Sequence, residues 1–196
     1  MDPMAPEIVQ VGAPVLRQKA PALSKKDIAS PKTRALVSRM KKLLAKEQYG
    51  VGLAAPQVGV SVRLFIVSGR AFLPDEATEE EKKNPPPDMV FINPELVRAS
   101  KSKREMAEGC LSVRGKYGTV LRSEKATVKA LDEHGKPFTY HGSELVAHIF
   151  QHELDHLEGT LYVDKAVKLE DEKEKEELRK KYHPGKKEPT HVKKQQ

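Results

Sequence analysis

Apolar positions recur along the chain with two rhythms, one helical and one strand-like. After Ser30, residues Leu36, Met40, Leu43 and Leu44 fall at helical spacing, and lysines and arginines occupy the opposite face. Ser30–Pro31 suits the start of such a helix, a capping hydroxyl followed by proline at the first helical position. The pattern predicts an N-terminal amphipathic helix of about 18 residues ending near Gly50. A second helix is predicted from Glu144 to about Glu158, opened by Ser143 and closed by Gly159.

Between the two helices the rhythm is that of strands. VRLFIV (62–67) and MVFINP (89–94) are apolar runs of buried-strand length. TVLR, KATVKALD and KPFTYHG alternate like antiparallel strands, with a turn at Glu133-His134-Gly135. TLYVD (160–164) predicts a further short strand, and LEDEKEKEELRKK (169–181) a charged, marginal helix. Residues 70–88, rich in charge and holding Pro85-Pro86-Pro87, predict an exposed loop within one domain, because strand-like sequence resumes at once. No internal repeat is present. The order of helix, strands and helix predicts an α+β fold: antiparallel β-sheets packed around a central helix, with an N-terminal helix beside them.

Composition changes this picture little. Hydrophobic residues make up 38% of the 196 and charged residues 32%, but the charge is concentrated in Asp75–Lys83 and the C-terminal third. The expected organisation is one catalytic-sized domain over residues 1–165 and a charged, basic C-terminal extension over 166–196, partly helical or disordered. No run approaches the roughly 20 apolar residues of a membrane span, so no membrane partner is expected. MDPMAPEIVQVG lacks a signal-peptide core, and Asp2 and Glu7 argue against a transit peptide. A single cysteine, Cys110, cannot form an internal disulfide, which favours a reducing compartment. A monomer in a bacterial-type cytoplasm is the expectation. The net charge is +7, and Arg179, Lys180, Lys181, Lys186, Lys187, Lys193 and Lys194 face only Glu188 at the end of the chain. Such a tail is drawn to polyanions or stands as a solvated terminus.

The candidate chemistry lies in FQHELDH (150–156). On a helix His152 and His156 are one turn apart, so both rings can reach one metal ion. Glu153 lies about 100° around the axis, where it suits a base beside a metal-activated water. Leu145, Ile149, His152 and His156 form one stripe whose first half is apolar. Histidines extending a buried face are costly without partners, and a ligand role would relieve that cost. A third ligand is needed. Cys110, after the permissive Gly109, has the strongest case, and the remaining histidines, Glu158 and Asp164 are alternatives. Cys and two His suit zinc. A zinc peptidase with a downstream third ligand and a basic, ribosome-associated protein with a structural metal are competing readings.

Three motifs, GVGLAAPQ (50–57), EGCLS (108–112) and QHELDH (151–156) extended by LEG to 159, closely resemble peptide deformylase, the metalloenzyme that removes the N-formyl group from nascent proteins. VGAPVLRQKA (11–20) and FINPEL (91–96) look like that family's N-terminal strand and sheet core, and the resemblance runs from about Val9 to Lys165. It implies that Cys110, His152 and His156 bind the metal, and that Glu153 is the general acid/base. Gln57 and the Leu111 backbone N–H would hold the oxyanion as hydroxide generated at the ion attacks the formyl carbon of N-formylmethionyl polypeptides. Val51, Gly52, Leu53, Gly109, Leu145, His148 and Ile149 would line the substrate site. Glu108 and Asp155 would orient the ligand histidines or form structural salt bridges. The resemblance implies Fe2+ as the physiological ion, with Zn2+, Ni2+ or Co2+ as substitutes. Work on emerging chains makes contact of the basic tail with ribosomal RNA a further expectation. Segment 70–88 is longer than compact members of the family need, and SVRGKYGTV lacks the proline often found after the cysteine motif.

Overall fold

The computed structural model of the chain describes residues 8–74 and 76–171. Its helices are α1 (Lys25–Ile28), α2 (Pro31–Lys46), α3 (Glu79–Lys83) and α4 (Glu144–Leu157). Ser30 caps α2 as its position predicts, accepting from Thr33 N at 3.2 Å, and Pro31 fills the first turn. Eight strands occur among the described residues: β1 (Gly52–Ala54), β2 (Leu64–Val67), β3 (Met89–Ala99), β4 (Lys103–Cys110), β5 (Val113–Ser123), β6 (Lys125–Leu131), β7 (Pro137–Ser143) and β8 (Lys168–Asp171). They form a five-stranded sheet of order β1-β2-β3-β6-β7 and a three-stranded sheet of order β4-β5-β8. All pairings are antiparallel. The fold is therefore α+β, as predicted.

The five-stranded sheet is covered on both faces, which explains the unbroken apolar run of β2. Phe65 and Val67 point into a cluster with Ala147, Phe150, Leu154 and Leu157 of α4. Leu64 and Ile66 point the other way, into a cluster with Val37, Met40, Leu43 and Leu44 of α2. Alternation returns in β6, where Ala126, Val128 and Ala130 face α4 while Lys125 and Lys129 are exposed. All five phenylalanines of the chain gather at this interface. Phe65 and Phe91 stack at 4.7 Å, Phe150 and Phe138 meet Phe91 at 5.1 and 5.2 Å, and Phe72 joins through Tyr140 at 5.4 Å. They anchor one side of α4. Its other side meets the second sheet, where Val113, Val120, Leu161 and Tyr162 form a smaller cluster.

Three local expectations are corrected. TLYVD is no strand: Tyr162–Asp164 is a 3-10 turn, held because Asp164 accepts from Leu161 N at 2.8 Å and pairs with Arg17. LEDEKEKEELRKK does not begin as a helix, since Lys168–Asp171 is β8 and pairs with Lys116–Thr119 of β5. The second sheet thus extends past the boundary expected at residue 165. VGAPVLRQKA forms no strand either; Val9 and Val11 make single backbone bonds to Gln57 O and Ser112 O before Pro14 opens a 3-10 turn. Ser143 occupies the N-cap of α4, but its hydroxyl makes no capping bond. The loop expected at 70–88 is largely exposed and contains one turn of helix, α3, closed by a Thr78–Glu81 capping box. The basic residues from Arg179 onward lie outside the described residues. No helix among those described is long and apolar enough to cross a membrane.

Candidate metal centre

Two elements meet to build the site. The hairpin of β4 and β5 turns tightly at Leu111 and Ser112, with Cys110 opposite Val113. Helix α4 presents His152 and His156 with ring centroids 4.9 Å apart. One donor atom each from Cys110, His152 and His156 lies within 4.8 Å of the others, and Cys110 Sγ is 3.3 Å from His156 Nε2. Two donors on one tetrahedral ion stand about 3.5 Å apart, given metal–sulfur and metal–nitrogen bonds near 2.3 and 2.1 Å. The only buried side-chain polar atoms found without a hydrogen bond among the described residues are Glu153 Oε2 and His156 Nδ1, both in this cluster. Such orphans are costly and mark a place where a partner belongs. The three residues fit a metal ion.

Electrostatics point the same way. Burial pushes the Cys110 thiol up to about 12, with Glu153 and Glu108 adding to the rise against an opposing bond from Ser112 N. A thiol in that setting stays protonated until a cation is present to stabilise the thiolate. Burial first, then the neighbouring His152 and Arg122 against the opposing Glu108, hold His156 well below the ordinary imidazole range, so it is neutral and able to ligate. Glu153 is only 3% exposed, and burial followed by the negative Glu108 raises its carboxyl well above the ordinary value.

Glu108 is the counterpart. Burial opposes its ionisation, but bonds from His148, His152 and Arg122 prevail and hold its carboxyl well below the usual range. Its Oε2 lies 2.6 Å from His152 Nδ1, which leaves His152 Nε2 for an ion, and its Oε1 is 2.9 Å from His148 Nε2. Arg122 grips both oxygens, from Nε at 2.7 Å and Nη2 at 3.1 Å. Asp155 takes the second of its two expected roles, a salt bridge. It touches no histidine but binds Arg122 Nη1 at 2.6 Å and Lys165 Nζ at 2.5 Å, so it acts on the site through Arg122. The sequence reading passed over Arg122. The signal was available, since Arg122 shares the strand phase of buried Gly118 and Val120 in β5.

Above these residues runs a groove of about 600 Å³ lined by Val51, Gly52, Gln57, Gly109, Cys110, Leu111, Leu145, His148, Ile149, His152 and Glu153. Gln57 is buried; its Oε1 accepts from Ala54 N at 2.8 Å, and its Nε2 is aimed at Cys110 Sγ (3.5 Å) and Ser112 Oγ (3.3 Å). At Gly52 a Cβ would stand 2.4 Å from Glu153 Oε1, so the glycine lets the strand pass the carboxylate. Leu53 is corrected: its side chain is fully buried in the cluster under α2 and does not face the groove. The alternative third ligands are engaged elsewhere. Glu158 pairs with Arg63 and Lys19, Asp164 with Arg17, and His141 with Thr127, while His134 is exposed. His183 and His191 lie outside the described residues.

The family model described as polypeptide deformylase matches residues 5–172. A peptide deformylase of Halothermothrix orenii is 38% identical over 169 residues, spanning 85% of this chain and 96% of that one. One of Thermomicrobium roseum is 42% identical over 158 residues, 81% and 84% of the two chains. Among solved structures, a peptide deformylase from Legionella pneumophila superposes with a TM-score of 0.68 at 38% identity, covering 82% of this chain and 85% of that one. A Met-Ala-Ser-bound class I type b peptide deformylase from Acinetobacter baumannii gives 0.69 at 31% identity, covering 81% and 96%.

Two outcomes are expected. Zinc or nickel at a hundredfold excess over its Kd should stabilise the metal-free protein by about 2.7 kcal/mol, a rise in Tm of about 5–10 °C for a chain of this size. Cys110→Ala should abolish that rise in a thermal melt, and a retained rise would remove Cys110 from the ligand set. Arg122→Ala should cost about 3–5 kcal/mol in urea unfolding, because it leaves Glu108 buried without the guanidinium that grips both its oxygens.

Proposed function

The chain belongs to the polypeptide deformylase family and is a hydrolase of that family, and from that premise we propose that it removes the N-formyl group from the N-terminal formylmethionine of newly synthesised polypeptides, releasing formate. The observation that carries this reading is one arrangement. A buried, unpartnered Glu153 carboxylate adjoins the Cys110–His152–His156 donor set at the base of a groove, with the Gln57 amide beside it. The donor set and the poised carboxylate favour a hydrolase over a purely structural site, which would close all four positions. The engagement of Glu158 and Asp164 with cations disfavours a peptidase with a downstream ligand.

Cys110, His152 and His156 would hold one divalent ion, Fe2+ in the cell, with Zn2+, Ni2+ or Co2+ able to take its place. When bound, the ion would supply Lewis acidity and lower the pKa of a water toward about 7. Glu153 accepts the proton of the attacking water; burial keeps that proton on its carboxyl until it passes to the leaving amine. Gln57 Nε2, oriented by the Ala54 N–H bond to its own carbonyl, donates to the oxygen of the tetrahedral intermediate, and Leu111 N–H is the second donor. Glu108 holds His152 in one tautomer through Nδ1. Val51, Gly52, Gly109, Leu145, His148 and Ile149 bound the groove that takes the methionyl peptide. His148 serves chiefly by pairing with Glu108. We assign catalysis to a monomer with its domain carried by the two sheets and four helices.

Iron-loaded protein purified without oxygen should release formate from a formyl-Met peptide. Glu153→Gln should lower kcat by about 10²–10⁴, the usual worth of a positioned general acid/base. No formate from the wild type would overturn the reading. The basic tail carries a second expectation, contact with ribosomal RNA. Since β8 completes the second sheet, the chain should be shortened after Asp171, not before it. Loss of salt-dependent ribosome co-sedimentation on that truncation supports the contact, and unchanged co-sedimentation rules it out.

A further inference from the structure

Segment 70–88 begins beside the groove, and its first residue, Arg70, binds residues of the groove's rim. Arg70 follows Gly69, which is pinned from both sides. Gly69 N donates to Asp88 Oδ1 at 3.0 Å, and a Cβ at this position would lie 1.6 Å from Pro86 O. The two ends of the 69–88 excursion therefore touch, and glycine alone permits that contact. From this fixed base the Arg70 guanidinium donates to Gly50 O at 2.7 Å, to Glu47 O and Gln48 O at 3.0 Å, and through Nε to Ser68 Oγ at 3.3 Å.

Those carbonyls belong to the C-cap residue of α2, Glu47, and the turn that leaves it. The last carbonyls of a helix lack intrahelical partners, and a cation at that end is favoured. The planar fork of arginine can serve three carbonyls at once, which an ammonium on a flexible stem cannot match. The clasped stretch is also one wall of the groove. Tyr49, 79% exposed, stands on it, Gly50 and Val51 continue it, and Gly52 passes against Glu153. Ser68 N donates to Val51 O at 2.9 Å, so the residues flanking Arg70 hold the same wall.

We propose that Arg70 is a positioning residue for substrate: its guanidinium clasps the 47–50 turn and thereby sets the groove wall against which the formylated peptide docks. The inference rests on the deformylase reading for the identity of the ligand. Arg70 touches neither the donor set nor Glu153, so it acts on binding and not on the chemical step.

In the full-length, metal-loaded protein, Arg70→Ala should raise KM for a formyl-Met peptide about tenfold while kcat stays within about twofold, the signature of lost uniform binding. Arg70→Lys should recover only part of that loss. The chain has no tryptophan, so Tyr49→Trp places a single fluorescent reporter on the rim. Adding Arg70→Ala to that reporter should lower its anisotropy. Unchanged KM, a fall in kcat as large as the rise in KM, full recovery by lysine, or unchanged anisotropy would each overturn the clasp. If the wild type turns over no formyl peptide, the deformylase reading fails on its own, and the anisotropy decides whether Arg70 holds the rim.

Discussion

A buried carboxylate held ionised by three cationic or donor partners is the constraint on which the rest depends. Glu108 sits at the junction of β4, β5 and α4, bonded to Arg122, His148 and His152. A buried charge is tolerated only when its partners are present with good geometry. Each partner in turn fixes an element: Arg122 ties β5 to β4 and, through Asp155, to α4, while the two histidines lock one face of α4 onto the hairpin. The register between hairpin and helix follows. Cys110, two residues along from Glu108, is thereby brought to 3.3 Å from His156. Charge also separates the two nearby carboxyls, since the negative Glu108 adds to the burial that raises Glu153 above its ordinary range. Two acids beside the same histidines are thus shifted in opposite directions.

The apolar side of the molecule supplies the counterforce. A helix that buries Glu153 and His156 must recover the cost elsewhere, and α4 does so by setting Phe150, Leu154 and Leu157 against the aromatic cluster of the five-stranded sheet. With α2 covering the far face of that sheet, β2 and β3 are enclosed and α4 has a rigid platform. The candidate site therefore rests on a well-packed support on one side and a charged network on the other.

Much of this was legible in the sequence where local rules operate. Ser30–Pro31 marks a helix start because capping is a local interaction, and the alternation in β6 follows from one buried face. The i, i+4 histidines needed only helical geometry, and Cys110 came from its motif. The failures share a cause, which is that long-range partners decided the outcome. TLYVD has strand propensity, yet Asp164 is drawn to Arg17 and its own turn. The charged run from Leu169 reads as a marginal helix, but the open edge of β5 takes Lys168–Asp171 as a strand. Leu53 sits in a motif that borders the groove, yet strand alternation turns its side chain to the opposite face from Gly52. Arg122 and Arg70 were passed over because their meaning lies in what they touch across the fold, which no local window contains.

The site is assembled from residues near 50, near 110 and near 155, and the strand that completes the second sheet arrives only at Lys168–Asp171. Contacts so distant along the chain form late, because loop closure has to precede the pairing that rewards it. During synthesis from the N-terminus, the half bearing Gln57 emerges with no helix to face, and α4 is among the last elements made. A growing chain therefore lacks the full donor set until Cys110, His152 and His156 have all been made, so the candidate metal centre is acquired only near the end of synthesis.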